Sequence, residues 1–339
     1  MERSLLSKRF LAFSEECKGK CRLYELLSIQ ISNDRELLQL SSYAPMNQPI
    51  PNLLFAAVHY LLLKGKVHEL KDFYKSIVAF PKNADHCFPY FKRFCTQYRH
   101  EIISLLRQKL VQTNEVSRCV YLYPIFCNIY EKMNKPLALI ELGTSAGLQL
   151  LWDQYRYSYG TETVYGNQSS NVHLRADIKG KKRPFLLMNS PPIFSRIGID
   201  LHVNDLNVQE DYLWLQALIW PSETKRRQLF IRAAKIVRQD PPHLVEGDGI
   251  DLLDSIVEEV DERAIPCVFH THVANQFTPQ MQQKLLADID QIGKKKDIFH
   301  LYNNLPDHKL RLDAYIEGEK SAKIVGETEA HGKWFTWYL

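Results

Sequence analysis

The 339-residue sequence is 45% hydrophobic and 24% charged, which excludes an intrinsically disordered chain and is typical of a globular protein large enough for two packed units. A formal net charge of +4 is only mildly basic, and the short basic clusters lie far apart, so a nucleic-acid partner is not indicated. Seven scattered cysteines without a CxxC pair indicate neither a disulfide framework nor a zinc site.

The N-terminal region carries no sign of export or membrane insertion. Its first residues, MERSLLSKRFLAFSEECKGK, lack the uninterrupted apolar core of a secretory signal. The most apolar run, Leu53 to Leu63, is too short to cross a bilayer and contains His59. We therefore expect a cytoplasmic protein without a membrane partner.

Residues 1–135 have a helical pattern, because apolar side chains recur at spacings of three and four. Pro51 and Gly65 are plausible start and stop signals for one of the helices. We predict an all-α domain over this range. Its helices are predicted at LLSKRFLAFSEEC, DRELLQLSSYA, PNLLFAAVHYLLLKG, FPYFKRFCTQYRHEIISLLRQKL and EVSRCVYLYPIFCNIYEKM.

Residues 136–339 have a different pattern, in which apolar strands alternate with helical stretches. This alternation predicts βαβ units and a mainly parallel sheet. Strands are predicted at 138–142, 197–203, 243–248, 266–273 and 298–303. Helices are predicted at 147–157, 209–220, 223–238, 249–260 and 279–292.

Two further segments complete this second domain. The polar insertion at about 158–195 is predicted to form a small hairpin or flap, with VHLRAD as one arm. KLRLDAYIEG and AKIVGETEAHGKWFTWYL are two strand-like runs around a turn, which predicts a C-terminal antiparallel hairpin.

The stretch LALIELGTSAGLQLLWDQY, residues 137–155, predicts a strand, a tight glycine turn and a helix. Such a turn lies at the carboxyl end of a strand, where nucleotides and related cofactors bind in open α/β sheets. The pattern has Glu141 before the turn residues Gly143, Thr144, Ser145 and Gly147, and it does not fit GxGxxG. The alternative is that the glycines only make a compact strand-to-helix connection.

The negative charge of Glu141 would favour some cofactors over others at this turn. A zwitterionic amino-acid tail, as in S-adenosylmethionine, could place its ammonium against Glu141 and its carboxylate against the N–H groups of the turn. A pyrophosphate would be repelled by the same carboxylate, and GxxxxGK[ST] is absent from the sequence. The turn therefore favours S-adenosylmethionine over NAD or ATP.

Two more carboxylates lie toward the carboxyl ends of predicted strands. Asp200 lies toward the carboxyl side of the second strand, where an acid can accept both ribose hydroxyls, and Asp248 ends the third, where it can reach an adenine edge. Each could instead be a helix N-cap, and for Asp248, directly before a predicted helix, that alternative is strong.

The sequence resembles the class I S-adenosylmethionine-dependent methyltransferases in having five parallel-type strands and a final antiparallel hairpin. It departs from them because only NLPDH separates the fifth strand from the hairpin, where those enzymes usually have a helix. Through motifs spread over most of the chain, it also resembles a bacterial family of uncharacterised proteins with a methyltransferase-like core. These motifs are PNLLFAAVHYLL, QTNEVSRC, IELGTSAGLQLLWDQYRYSYG, RIGID, WLQALIWPSETKRRQL, EGDGIDLL and HGKWFTW.

The resemblance implies an α/β protein in which an all-α N-terminal region precedes a Rossmann-like, methyltransferase-type sheet. It implies no substrate. We predict a methyltransferase acting on a small-molecule or protein acceptor. The alternative is a non-catalytic module that binds an adenosyl ligand or serves as an interaction scaffold, since a fold does not fix a function.

Candidate catalytic and pocket residues come from two segments. His270, His272 and Asn275 end the fourth strand, and alternation would place both histidines on one face as base or orienting groups. In QTNEVSRC, the pocket candidates are Asn114, Glu115 and Arg118. The alternatives are buried structural histidines, a helix cap, and a Glu–Arg pair on a helix surface.

Overall fold

The computed structural model describes residues 2–112, 115–305 and 307–339. Contacts divide the chain into two compact units. Unit 1 comprises Met1–Thr113 and Asn207–Phe230, and unit 2 comprises Asn114–Leu206 and Ile231–Leu339.

The helices and strands occupy the following residues. The helices are α1 Glu2–Cys17, α2 Arg22–Ile31, α3 Arg35–Ser41, α4 Ile50–Leu63, α5 Phe88–Gln97, α6 Arg99–Gln108, α7 Cys119–Met133, α8 Gln209–Ala217, α9 Thr224–Gln239, α10 Gly249–Glu258 and α11 Pro279–Gly293. The strands are β1 Leu137–Leu142, β2 Arg156–Ser158, β3 Tyr165–Gly166, β4 His173–Arg175, β5 Asp177–Lys179, β6 Ile193–Asp200, β7 His243–Glu246, β8 Ile265–His270, β9 Ile298–Tyr302, β10 Lys309–Ile316, β11 Glu319–Glu327 and β12 Trp334–Thr336.

Unit 1 is helical and is built around α4. Pro51 lies in the first turn of this helix, and Gly65, with a φ of +94°, follows its C-cap. Twelve of its fourteen residues are buried, which is the burial expected of a helix that is apolar on every side. The buried His59 ring is satisfied by the carbonyl of Ala217 on α8, 3.0 Å away, and by the Ser76 hydroxyl.

The unit boundary differs from the predicted boundary at residue 135. α8 returns to unit 1 because Trp214 is 1% exposed within the helical core and donates its indole N–H to the Leu110 carbonyl at 2.9 Å. α7 belongs to unit 2, where its Phe126 packs edge-on against Phe269 of β8.

Unit 2 contains a seven-stranded sheet in the order β7-β6-β1-β8-β9-β10-β11. The first five strands in this order are parallel, and β10 and β11 are antiparallel to their neighbours. All five predicted parallel strands are therefore confirmed, as is the C-terminal hairpin. The second arm of the hairpin ends at Glu327, however, and the residues beyond it form β12, which pairs with β5.

The strand order has a switch point at β1. After β1 the chain adds β6 and β7 on one side, and then returns to add β8 and β9 on the other side. In open α/β sheets the crevice at the carboxyl ends of strands on either side of such a reversal is a preferred ligand site. The loops after β1, β6 and β8 meet at this edge.

The segment between β1 and β6 differs in part from its prediction. The helix predicted at 147–157 is wrong, because the chain makes only a short 3₁₀ helix at Leu148–Gln154, kinked at Leu151, before β2 begins. β2 pairs with β3 and β4 to form a three-stranded sheet. VHLRAD supplies β4 within the predicted flap.

No helix in the described part of the chain is long and apolar enough to span a membrane.

Candidate functional site

The glycine turn after β1 has three residues in the left-handed region. Gly143, Ser145 and Gly147 have φ values of +73°, +53° and +71°, a conformation that glycine adopts without the usual steric cost. The Gly147 N–H donates to the Thr144 carbonyl at 3.0 Å, which closes the turn.

Three other N–H groups of the turn also have protein acceptors. Gly143 and Thr144 donate to the Ile199 carbonyl at 2.8 and 3.2 Å. Ser145 donates to a carboxylate oxygen of Asp200 at 2.8 Å. The N–H groups of Gly143, Thr144 and Ser145, which were among those predicted to bind a ligand carboxylate, are therefore already used to join β1 to the end of β6.

Both glycines of the turn permit close packing of protein side chains. A Cβ on Gly143 would lie 2.5 Å from Cγ2 of Val273, which belongs to the loop after β8. A Cβ on Gly147 would lie 2.6 Å from Cγ of Pro242, just before β7. In this structure the space beside the two glycines is filled by these residues.

Glu141 lies beneath the turn and is 1% exposed. Its carboxylate accepts a hydrogen bond from the Thr144 hydroxyl at 2.7 Å. The pKa of Glu141 is raised to about 8, chiefly by desolvation on burial; the hydrogen bond from Thr144 and the charge of Arg118 oppose this shift, and the neighbouring Asp200 adds to it. At neutral pH Glu141 is thus mostly protonated, and its burial separates it from any ligand above the turn.

Asp200 braces the glycine turn from β6. One carboxylate oxygen accepts from Ser145 N–H, and the other accepts from His202 N–H at 3.1 Å. Asp200 therefore fixes the loop, and its half-buried carboxylate lies at the carboxyl edge of the sheet.

Asp248 is the N-cap of α10. Its carboxylate accepts from the Ile250 N–H at 2.9 Å, and its backbone is extended. This is the structural role that the sequence offered as the alternative to adenine binding.

Arg118 connects the start of α7 to the residues that follow β8. Its guanidinium donates to the Ala330 carbonyl at 3.0 Å and to both oxygens of Thr271 at 3.3 Å. The Thr271 hydroxyl in turn donates to the Gln149 side chain at 2.9 Å. Arg118 is only 6% exposed, and these contacts hold it at the carboxyl edge of the sheet.

Glu115 lies beside Arg118 in the sequence and is 2% exposed. One of its carboxylate oxygens accepts from Ser117 N–H, and the other is 3.3 Å from His331 Nδ1. Asn114, the third pocket residue predicted from this motif, lies outside the described residues.

His270 is placed away from the glycine turn. Glu141 is in register with Phe269, so the adjacent His270 points to the opposite face of the sheet. It is fully buried there, 5.2 Å from the His300 ring, and within the described chain neither imidazole has a hydrogen-bond partner. Burial lowers the pKa of His270 to about 3.

His272 lies beyond the end of β8, which is His270 rather than residue 273. Its φ of +64° interrupts the strand alternation on which the predicted common face depended. Its N–H donates to the Asn303 side chain at 2.8 Å. Burial and the nearby Arg118 lower the pKa of His272 to about 3. Asn275 is exposed in the following 3₁₀ turn.

The site therefore consists of the glycine turn, held by its hydrogen bonds to Ile199 and Asp200, and of a neighbouring group of buried polar residues. These residues are Arg118, Glu141, Gln149 and Thr271. The turn, Asp200 and Arg118 are brought together at one edge of the sheet, whereas His270 and Asp248 have other environments. Sequence reasoning missed Gln149, Thr271 and His331, because each acts through a partner that is distant in the chain. Within the described residues no group of three or more His, Cys, Asp or Glu side chains could hold a metal ion.

No curated protein and no solved structure is detectably similar to the chain. One family does match, over residues 7–337, and it is described as an uncharacterized protein conserved in bacteria. Because the match covers nearly the whole sequence, the chain belongs to this bacterial family, DUF2332.

Proposed function

We propose that unit 2 binds S-adenosylmethionine at the carboxyl edge of the sheet and that the protein is a methyltransferase. The observation that carries the proposal is the position of the glycine turn. It follows β1, the strand at the switch point, and the Asp200 carboxylate at the end of the neighbouring β6 accepts a hydrogen bond from Ser145 N–H of the turn at 2.8 Å.

The residues fit the nucleoside part of this ligand better than its amino-acid tail. Asp200 is a half-buried carboxylate, a group that accepts hydrogen bonds from ribose hydroxyls. The adjacent Leu201 is 70% exposed, so it offers an apolar surface for an adenine ring. The turn N–H groups of Gly143 and Ser145 are already bonded. Arg118 is the cation at this edge that would attract a ligand carboxylate.

The cofactor would supply an electrophilic methyl group on a sulfonium. The chain's own contribution would be to hold the acceptor in line, since alignment alone lowers a barrier substantially. General-base catalysis is poorly served by His272, because a pKa of about 3 lies far below the pH at which a base is most effective.

A second candidate is a non-catalytic adenosyl-binding protein. It is favoured by the burial of His270 on the opposite face of the sheet from Glu141. That placement removes one predicted base from the crevice while leaving Asp200 in it.

The test is calorimetric titration with S-adenosylmethionine, S-adenosylhomocysteine and NAD in parallel. We expect binding of the two adenosyl compounds but not of NAD. Asp200→Ala should weaken that binding by roughly 1 to 3 kcal/mol, the usual cost of losing a charged hydrogen-bond partner. Asp254→Ala, at an exposed position on α10, is the matched control and should bind as the wild type does.

If Asp200→Ala binds the adenosyl compounds as tightly as the wild type does, Asp200 does not contact the ligand. Failure of both adenosyl compounds to bind would overturn the proposal. If they bind, transfer of a labelled methyl group to a component of cell extract separates the enzyme from the binding protein.

A further inference from the structure

A second region of unit 2 has the form of a ligand site. The small strands of the insertion and the segment before β12 surround an open cavity of about 580 Å³, within the size range of small-molecule sites. Its polar lining consists of Ser158, Thr161, Glu162, His173, Arg175, Asp177 and Lys333. None of these residues belongs to the glycine turn or its contacts described above.

Three of these side chains form a hydrogen-bonded chain with a fixed direction. The Arg175 guanidinium is 3.1 Å from His173 Nδ1, and because a guanidinium can only donate, Nδ1 must accept. The ring proton is therefore on Nε2, which donates to the Ser158 hydroxyl oxygen at 2.8 Å. Burial, Arg175 and Arg156 lower the pKa of His173, which keeps the ring neutral.

The direction of the hydrogen bond between His173 and Ser158 determines whether the serine hydroxyl can act as a nucleophile or as a hydrogen-bond donor. His173 cannot take the serine proton, so the pair is not arranged as a nucleophile and its base. The Ser158 proton has no acceptor among residues 2–112, 115–305 and 307–339, and Ser158 lines the cavity. A hydroxyl that already accepts a hydrogen bond is a better donor, so Ser158 is set to donate to a ligand oxygen.

Charges of both signs line the cavity without being paired. Arg175 and Lys333 are cationic, and Glu162 and Asp177 are anionic. In the described parts of the chain none of the four forms an ion pair. A phosphate would meet two carboxylates, and a simple amine would meet two cations. A molecule that carries both charges matches the lining.

We infer that this cavity binds a small zwitterion of amino-acid type. Its carboxylate accepts hydrogen bonds from Ser158 and Arg175, and its ammonium faces Asp177 and Glu162. The inference is independent of methyl transfer, because the residues that carry it are separate from those of the glycine turn.

The test is calorimetric titration of the full chain with the standard amino acids, and with acetate, methylamine and inorganic phosphate as probes of one charge sign. We expect saturable binding of at least one amino acid and none of the single-sign probes. Absence of binding by every amino acid overturns the inference. Equally tight binding of acetate or phosphate also overturns it, in favour of a plain anion site.

Variants then locate the site. Ser158→Ala and Asp177→Asn should each weaken amino-acid binding about tenfold, the effect of losing one hydrogen bond or charge partner. Lys181→Gln, at an exposed cation of the same insertion that does not line the cavity, should bind as the wild type does. The exposed side chain of Asp177 makes no hydrogen bond or ion pair within the described residues, so this variant stays informative if Ser158→Ala is unstable.

Unchanged affinity in both cavity variants would overturn the assignment. Affinity for S-adenosylhomocysteine should be the same in these variants as in the wild type. Failure of this site and failure of the proposed methyltransferase site are therefore distinguishable.

Discussion

Gly143 and Gly160 share a backbone conformation but differ in their surroundings. Their φ values are +73° and +75°, and a Cβ would meet Val273 at 2.5 Å at the first position but nothing within 4 Å at the second. Comparing alanine substitutions at these positions therefore separates backbone strain from steric overlap.

We expect Gly160→Ala to lower the free energy of unfolding by about 1 to 2 kcal/mol, the cost of an L-residue in the left-handed region. Gly143→Ala should cost roughly 1 to 3 kcal/mol more, because the methyl group overlaps Val273. Urea unfolding measures both. In a Val273→Ala background the excess should largely disappear, whereas equal costs at the two glycines would contradict the packing described for the turn.

The buried histidines give unit 2 a pH dependence whose sign can be worked out. The pKa of His270 is lowered to about 3 by burial, and that of His300 is lowered well below 6.5 by burial, His270 and Lys320. Below the ordinary pKa of 6.5 the unfolded chain takes up these protons and the folded chain does not. Stability is therefore complete above that pH and falls as the pH decreases.

Each such histidine should contribute a slope of about 1.4 kcal/mol per pH unit in this acid range. His270→Leu should reduce the slope of unfolding free energy against pH by that amount. Val268→Leu, at a buried apolar position on the same strand, changes no titratable group and is the control for altered packing. The measurement is urea unfolding over a pH series, and an unaltered slope in His270→Leu would show that this ring is protonated in the folded state.

Among the elements, α10 offers a direct test of a residue with two possible roles. Asp248 caps the helix through the Ile250 N–H, and removal of such a cap costs typically about 1 kcal/mol. Asp248→Ala should therefore lower stability by this amount and leave adenosyl-ligand affinity unchanged. Asp248→Ser, which keeps a capping oxygen, should restore stability. Loss of ligand affinity in both variants would indicate that the Asp248 carboxylate contacts the ligand.

The parallel strands were the elements most readily predicted from the sequence. β1 and β8 are buried at every position, and apart from Glu141 and His270 they are apolar, so the local pattern identifies them. The short 3₁₀ helix after the glycine turn, Leu148–Gln154, was not predictable in this way. Its apolar residues have helical spacing, but Leu151 leaves the helical region and Arg156 begins a strand that pairs with β4. Pairing with distant residues outweighed the local pattern.

The candidate site was predictable to a similar degree. Gly143 and Asp200 follow strands, so their positions at one edge of the sheet could be inferred from the sequence. The contacts of Arg118 with Thr271 and Ala330 join residues more than a hundred positions apart, and no local pattern signals such contacts. Whether His272 shares a face with His270 depended on where β8 ends, which is the least certain feature of a predicted strand.

At the scale of the whole molecule, the assignment of each helix to one of the two units could not be predicted from the spacing of apolar residues. α8 has the spacing of a helix that could cover a sheet, and only the burial of Trp214 among the helices of unit 1 shows where it belongs. An apolar face indicates that a helix packs against something, but not which core receives it.

Because unit 1 takes residues from Met1–Thr113 and from Asn207–Phe230, it cannot be completed early in synthesis. Nearly two thirds of the chain must leave the ribosome before Trp214 can enter the core of the first helices. Unit 2 must likewise wait for β10 and β11 at the C-terminal end of its sheet. In many multidomain proteins the N-terminal domain folds before the next domain emerges from the ribosome. This chain cannot fold in that order. For the same reason, a single proteolytic cut cannot release either unit intact.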